Sequence, residues 1–303
     1  MAMPSALGAL EKTFNRSPLT RINDPLFRQR TVELWLKRDD LLHPVISGNK
    51  WRKLKYSLQH ALSLGADTLI SMGGAYSNHL HALAYTGHVL GLKTIGFIRG
   101  GQPNVLTPSL ADMRGWGMEL KFVSRTDYRQ LRLYKHWQAL PGIKPGQYWL
   151  PEGGAQTLAL PGIAELVHEL DSPYDVLCVP CGTGTTLAGL IAAAPAKASI
   201  IGFAALKNAG FLTAEIAALL EQQQDNWQVN LDYHFGGFAK TNAQLMAFIT
   251  AFETRTAIPL EPVYTGKMLY GLYDLLKKDY FSAGQRIIAI HTGGLQGNRG
   301  FGD

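Results

Sequence analysis

Cysteine is scarce in this chain: two in 303 residues, both in Cys178-Val179-Pro180-Cys181. That spacing is one signature of redox chemistry. Here it closes an apolar run, Val176-Leu177-Cys178-Val179, that reads as a strand. Residues three apart on an extended chain lie about 10 Å apart, beyond the Cα separation a disulfide tolerates. Buried thiols are therefore expected. Charge is sparse too, at 17% of residues, and no apolar run approaches membrane-spanning length. The start, Met1-Ala2-Met3-Pro4-Ser5-Ala6-Leu7, lacks the basic segment and apolar core of a secretory signal, so a soluble cytoplasmic protein is the default expectation. The net charge of +6 has no focus, because no basic cluster interleaves with aromatics. Neither nucleic acid nor membrane is expected as a partner. The histidines show no metal-ligand spacing: His79 and His81, two apart, do not share a helix face. No metal site is expected.

What is present is a hydrophobic content of 46%, enough for a sizeable core in one or two domains. Strand-like and helix-like segments alternate. Strands are predicted at 32–37, 68–72, 94–98, 120–123, from 176, at 200–203, 229–233 and 287–290. Helices are predicted at 50–64, 78–90, 107–116 and 128–137. Apolar strands separated by amphipathic helices predict an α/β fold of two lobes, with parallel-type twisted sheets flanked by helices. Ligand chemistry is expected between the lobes and at carboxyl ends of strands. The breakers Pro141, Gly142, Pro145 and Gly146 mark a hinge or boundary.

Two segments carry the first chemical signal. In Ser47-Gly48-Asn49-Lys50-Trp51-Arg52-Lys53-Leu54 a loop becomes a helix. Trp51, Leu54, Leu58, Ala61 and Leu62 form one apolar stripe, with Arg52 and Lys53 on the far side. Lys50 and Lys55 both flank the stripe, so periodicity does not choose between them. Position favours Lys50, because the positive end of the helix dipole disfavours an ammonium and burial would lower its pKa further, making it a nucleophile. The second segment, Cys181-Gly182-Thr183-Gly184-Thr185-Thr186, links a strand to a small-residue helix. Converging backbone N–H groups, a helix start and threonine hydroxyls favour a phosphate, although a tight turn alone would also use these glycines. No Gly-Lys-Ser/Thr follows, which excludes a nucleotide-triphosphate loop. The next strand ends at Lys207-Asn208, without the acidic residue a dinucleotide fold places there. A small phosphorylated cofactor fits better.

Three more segments join a strand or turn to a helix or loop: Met72-Gly73-Gly74-Ala75-Tyr76-Ser77-Asn78-His79, Glu261-Pro262-Val263-Tyr264-Thr265-Gly266, and His291-Thr292-Gly293-Gly294. Ser77 and Asn78 are also good helix caps, and each of the other two could be a simple turn. In order and spacing the five motifs resemble the tryptophan-synthase β-subunit-like group of pyridoxal-phosphate enzymes. Within it the chain is most similar to the aminocyclopropane-carboxylate deaminase and D-cysteine desulfhydrase family, from Leu36-Lys37-Arg38-Asp39-Asp40 to His291-Thr292-Gly293-Gly294.

The resemblance implies the fold of fold-type II pyridoxal-phosphate enzymes. It implies a larger cofactor-binding domain at 1–52 plus 150–303, a smaller substrate-side domain at 53–149, and a homodimer. Lys50 would hold the cofactor as a Schiff base and shuttle a proton. Asn78 would hydrogen-bond the cofactor's phenolic oxygen. Ser77, with its neighbours Asn78 and His79, would hold the substrate carboxylate, and Ser77 would take part in proton transfer. Gly182, Thr183, Gly184, Thr185 and Thr186 would bind the phosphate, and Tyr264 would sit over the substrate. Ring-opening deaminases of the family tend to carry Glu after the motif tyrosine and Leu after the last motif histidine; this chain has Thr265 and Thr292, as the D-cysteine desulfhydrases do. A threonine hydroxyl near the pyridine nitrogen would leave it unprotonated, which suits β-elimination. Sulfide, pyruvate and ammonia are the expected products. Phe238 stands where relatives often place a tyrosine. It keeps three alternatives open: aminocyclopropane-carboxylate deamination, action on another small amino acid, and a cofactor-binding protein without turnover. A nicotinamide-dependent dehydrogenase is opposed by the missing ribose acid.

Overall fold

The computed structural model describes residues 5–301. In chain order its strands are β1 (Leu19–Ile22), β2 (Glu33–Lys37), β3 (Thr68–Gly73), β4 (Lys93–Arg99), β5 (Met118–Val123), β6 (Gln147–Trp149), β7 (Val176–Cys181), β8 (Ser199–Ala204), β9 (Trp227–Asn230) and β10 (Arg286–Ile290). They form two sheets, of order β1-β2-β10-β7-β8-β9 and β5-β4-β3-β6. Every pairing is parallel except that of β1 with β2. The protein is therefore the expected α/β type with parallel sheets. Helix Asn78–Leu90 packs on β3 and β4, while helices Thr185–Ala193 and Thr265–Lys277 pack on β7 and β8.

The chain divides into two compact units. One holds the chain up to Asn15, Leu42–Gly162 and the chain from Gln296; the other holds Arg16–Leu41 and Ile163–Leu295. The four-stranded sheet belongs to the first and the six-stranded sheet to the second. Each has its own core. Leu54, Leu58, Leu69, Leu80 and Tyr148 centre the first, and Leu34, Leu36, Phe252, Leu272 and Ile287 the second. The central strands β3 and β7 are buried at every residue, which is why their sequences read as unbroken rather than alternating apolar runs. Cys178 and Cys181 lie in β7 as buried thiols, as expected.

Several boundaries differ from the sequence expectation. The units change at 15/16, 41/42, 162/163 and 295/296, whereas 52/53 and 149/150 were expected; helix Asn49–Ser63 runs unbroken across 52/53. The breaker-rich stretch at 139–146 lies inside the first unit and leads into β6. The helix predicted at 128–137 is Arg125–Leu131. It starts earlier because Ser124 Oγ caps the N–H of Asp127. It stops earlier because the carbonyls of Tyr134 and Trp137 accept from the indole and backbone N–H groups of Trp149 instead of continuing the helical ladder. The strand predicted at 229–233 is β9, ending at Asn230.

Candidate active site

In the first unit, Lys50 is the second residue of helix Asn49–Ser63. Its N-cap is Gly48 at φ 67°, ψ −154°, a conformation open in practice only to glycine, and one that supplies no side-chain cap. The expected split of the helix into an apolar stripe and a far side does not hold. Arg52, Lys53 and Lys55 are all buried. The Gly162 backbone lies directly against the Arg52 carbonyl, Lys53 Nζ donates to the Gly153 carbonyl at 3.3 Å, and Lys55 pairs with Glu11. Lys50 is the half-buried cation of the group, and its Nζ donates to Asn49 Oδ1 at 3.0 Å. Lys55, the other lysine flanking the apolar stripe, is thus tied to a carboxylate.

The second turn of this half follows β3. Ser77 caps helix Asn78–Leu90, its Oγ accepting from the Leu80 N–H at 3.2 Å. Capping uses an oxygen lone pair and leaves the hydroxyl proton able to donate. The N–H groups of Asn78 and His79 lie in the first helical turn, where helix geometry provides no intrahelical acceptor. They can receive an anionic group such as a carboxylate. The His79 side chain serves the core instead: it is 2% exposed and its Nε2 lies 2.9 Å from Ser71 Oγ. Ser71 Oγ donates its only proton to the Leu150 carbonyl, so Nε2 must be the protonated nitrogen. Nδ1 has no hydrogen-bond partner among the described residues. Burial, and then the nearby Lys50 and Lys53 ammoniums, pull this imidazole down to about 3. His79 is neutral, and only its backbone faces the chemistry proposed for it.

The second unit carries the glycine turn. Gly184 has φ 74° and opens helix Thr185–Ala193; a Cβ there would lie 2.5 Å from Ile216 Cγ1. Glycine is required both for that conformation and for that approach. A glycine at the cap supplies no side-chain acceptor of its own to the helix start, which suits a phosphate site. Thr183 and Thr185 hydroxyls are 3.0 Å apart beside them, and Thr185 and Thr186 are buried. Tyr264 belongs to the same neighbourhood: its Oη is 3.1 Å from where a Gly182 Cβ would stand. Phe238 meets the Tyr264 ring edge-on, 5.9 Å between centroids.

The turn that presents Tyr264 and Thr265 is built on Glu261. This buried carboxylate accepts from the N–H of Val263 (2.7 Å), Tyr264 (2.6 Å) and Thr265 (2.6 Å), and from Thr265 Oγ1 (3.1 Å). Burial pushes the Glu261 carboxyl up, and these hydrogen bonds oppose it. Its acceptor capacity is committed to its own turn. His291, just after β10, is fully buried; its Nε2 donates to the Pro259 carbonyl at 2.8 Å and its Nδ1 accepts from the Gly293 N–H at 3.3 Å. Burial lowers its pKa, so it too is a neutral, fixed group that sets the backbone before Thr292. Lys267 is buried, with Nζ donating to the carbonyls of His234 (2.9 Å) and Gly237 (2.8 Å), and it anchors the loop that carries Phe238. Burial brings its pKa down to about 8.

An amine at a helix start, N–H donors for a carboxylate and an uncapped glycine turn for a phosphate fit the donors that pyridoxal phosphate and an amino acid require. Sequence reasoning missed Glu261, Gln296 and Lys267. Glu261 had a signal, standing three and four residues before Tyr264 and Thr265 at a helix start. Gln296, which donates to Asn78 Oδ1 at 2.7 Å from 218 positions away, had none.

Residues 10–293 match the family model of pyridoxal-phosphate dependent enzymes. A putative 1-aminocyclopropane-1-carboxylate deaminase of Pyrococcus horikoshii is 32% identical over 297 residues, covering 91% of this chain and 89% of its own length. The mitochondrial bifunctional D-cysteine desulfhydrase/1-aminocyclopropane-1-carboxylate deaminase of Arabidopsis thaliana is 30% identical, covering 93% and 77%. Among solved structures, an ACC deaminase homologue superposes with a TM-score of 0.76 at 29% identity, covering 98% of this chain and 97% of its own. With the family match spanning nearly the whole chain, the protein belongs to the pyridoxal-phosphate dependent enzymes.

Proposed function

We propose that the enzyme eliminates the β-substituent of a small amino acid, with D-cysteine as substrate and sulfide, pyruvate and ammonia as products once water is added. The observation that carries this reading is the commitment of Glu261 to its own turn. With its carboxylate receiving four hydrogen bonds, and with Thr265 giving it both N–H and O–H, the partner of a pyridine nitrogen falls to the Thr292 hydroxyl. A hydroxyl can donate a hydrogen bond to that nitrogen but is too weak an acid to protonate it. Such a partner suits elimination better than transamination.

Pyridoxal phosphate, when bound, supplies a conjugated ring that draws electron density from the substrate α-carbon. The chain supplies the rest. The Lys50 amine would hold the cofactor covalently and would take the α-proton. The Ser77 hydroxyl and the Asn78 and His79 N–H groups hold the carboxylate. The Asn78 amide donates to the phenolic oxygen. The turn Gly182, Thr183, Gly184, Thr185 and Thr186 holds the phosphate, and Tyr264 positions the leaving side. The protein works in the cytoplasm as a homodimer, the commonest assembly of its kind; sedimentation of purified protein tests the dimer.

Ring-opening of 1-aminocyclopropane-1-carboxylate is the competing reading, favoured by the names of two relatives. Cofactor-loaded protein offered each substrate separates them. Sulfide with pyruvate from D-cysteine, lost in Lys50→Ala, supports elimination. 2-Oxobutyrate from the cyclopropane substrate alone would replace it.

A further inference from the structure

We infer that Gln296 is a positioning residue that fixes which end of the Asn78 amide faces the cofactor. The inference rests on the proposed pairing of Asn78 with the cofactor's phenolic oxygen. A carboxamide has an acceptor end and a donor end of nearly equal shape, and only its hydrogen bonds decide which way it points. Asn78 is half-buried at the first position of its helix, where the backbone leaves that rotation open. Gln296 Nε2 donates to Asn78 Oδ1 at 2.7 Å. The acceptor end is thereby taken by protein, and both N–H donors of Asn78 are left for another oxygen. An electron-rich phenolic oxygen needs donors.

Gln296 is itself held to the same turn. It lies in the short helical segment Leu295–Gly300. Farther along, Gly300 packs so close to the Tyr76 ring that a Cβ would stand 2.8 Å from ring atoms. Arg299 Nε donates to the Gln296 carbonyl at 3.1 Å, and its guanidinium pairs with Asp112. Asp112 also meets His81 Nε2 at 3.0 Å. Within the first unit, the segment therefore grips the turn at Tyr76 and Asn78 and, through Asp112, at His81. The segment acts as a splint for the residues assigned to the carboxylate and the phenolic oxygen.

The test compares Gln296→Leu, Gln296→Glu, Asn78→Ala and the double variant Asn78→Ala/Gln296→Leu in cofactor-loaded protein, read by the pH midpoint of the visible band of the lysine-bound cofactor. Loss of an N–H donor makes the phenolic oxygen more basic, so the midpoint rises. Gln296→Leu should raise it by about 0.5–1 unit, the worth of one hydrogen bond, and lower kcat/KM by about three- to tenfold. Gln296→Glu should raise it further, because a carboxylate only accepts and would draw the Asn78 N–H groups round toward itself. The double variant should match Asn78→Ala alone, because the effect of Gln296 runs through Asn78. If Asn78→Ala moves the midpoint and Gln296→Leu does not, or if the two shifts simply add, the inference on Gln296 fails and the reading of Asn78 stands. If Asn78→Ala leaves the midpoint in place, both fail.

Discussion

Acidification should loosen the turn that bears Ser77, and His79 sets the scale. Its Nε2–H is bonded to Ser71, its Nδ1 faces no acceptor among the described residues, and it is 2% exposed. The folded protein therefore holds this imidazole neutral down to about pH 3, against an ordinary value of 6.5. The sign follows directly. Between those values the unfolded chain binds a proton here and the folded chain does not, so stability is present above the unfolded pKa and is lost as pH falls. At about 1.4 kcal/mol per pH unit, acidification from neutrality to about pH 5 removes roughly 2 kcal/mol through His79 alone. Other buried histidines, His43, His81 and His291, are shifted the same way and add to the total. The His79→Gln variant isolates one contribution, because a glutamine amide can donate to Ser71 as Nε2–H does but cannot take up a proton. Urea unfolding of the native and His79→Gln proteins near pH 7 and near pH 5 gives the comparison. The stability gap between them should shift by roughly 2 kcal/mol in favour of the variant on acidification. An equal loss in both proteins would refute the neutral buried His79 and with it the assignment of only a backbone role to this residue.

Glu261→Gln should lower unfolding stability by about 2–4 kcal/mol, since an amide NH2 replaces one oxygen that now accepts an N–H and weakens the other charged hydrogen bonds; chemical denaturation measures it. Gly184→Ala should weaken pyridoxal-phosphate binding more than tenfold, because a left-handed alanine costs about 1–2 kcal/mol and its Cβ meets Ile216; fluorescence titration with the cofactor reads this out. Lys267→Met removes the ammonium that anchors the His234 and Gly237 carbonyls, so tryptic cleavage after Lys240 should accelerate severalfold while cleavage elsewhere is unchanged.

The strands and the site turns were legible for a physical reason: both are written in contiguous residues. A short apolar run such as Val176–Val179, closed by Pro180 and Gly182, reads as a strand buried on both faces, and Gly182, Gly184 and Ser77 announce their turns by residue type. What escaped depends on contacts distant in sequence. Arg52 and Lys53 look like a solvated face on a helical wheel, yet both are buried, with Lys53 donating to the Gly153 carbonyl 100 positions away. The helix at 125–131 ends early because Trp149 claims carbonyls nearby, a competition no local pattern records. The Thr265 hydroxyl donates to Glu261, four residues back, a pairing the residue types alone did not announce, and the pyridine-nitrogen role is proposed for Thr292.

Borohydride reduction of the cofactor-loaded protein, followed by peptide mapping, tests the central claim most directly. Lys50 stands among Arg52, Lys53 and Lys55, so the labelled position discriminates within one helix. The account predicts a pyridoxyl group on Lys50 and on no neighbour. A label on Lys53, Lys55 or a lysine of the other unit, or no label in protein that binds the cofactor, would contradict it.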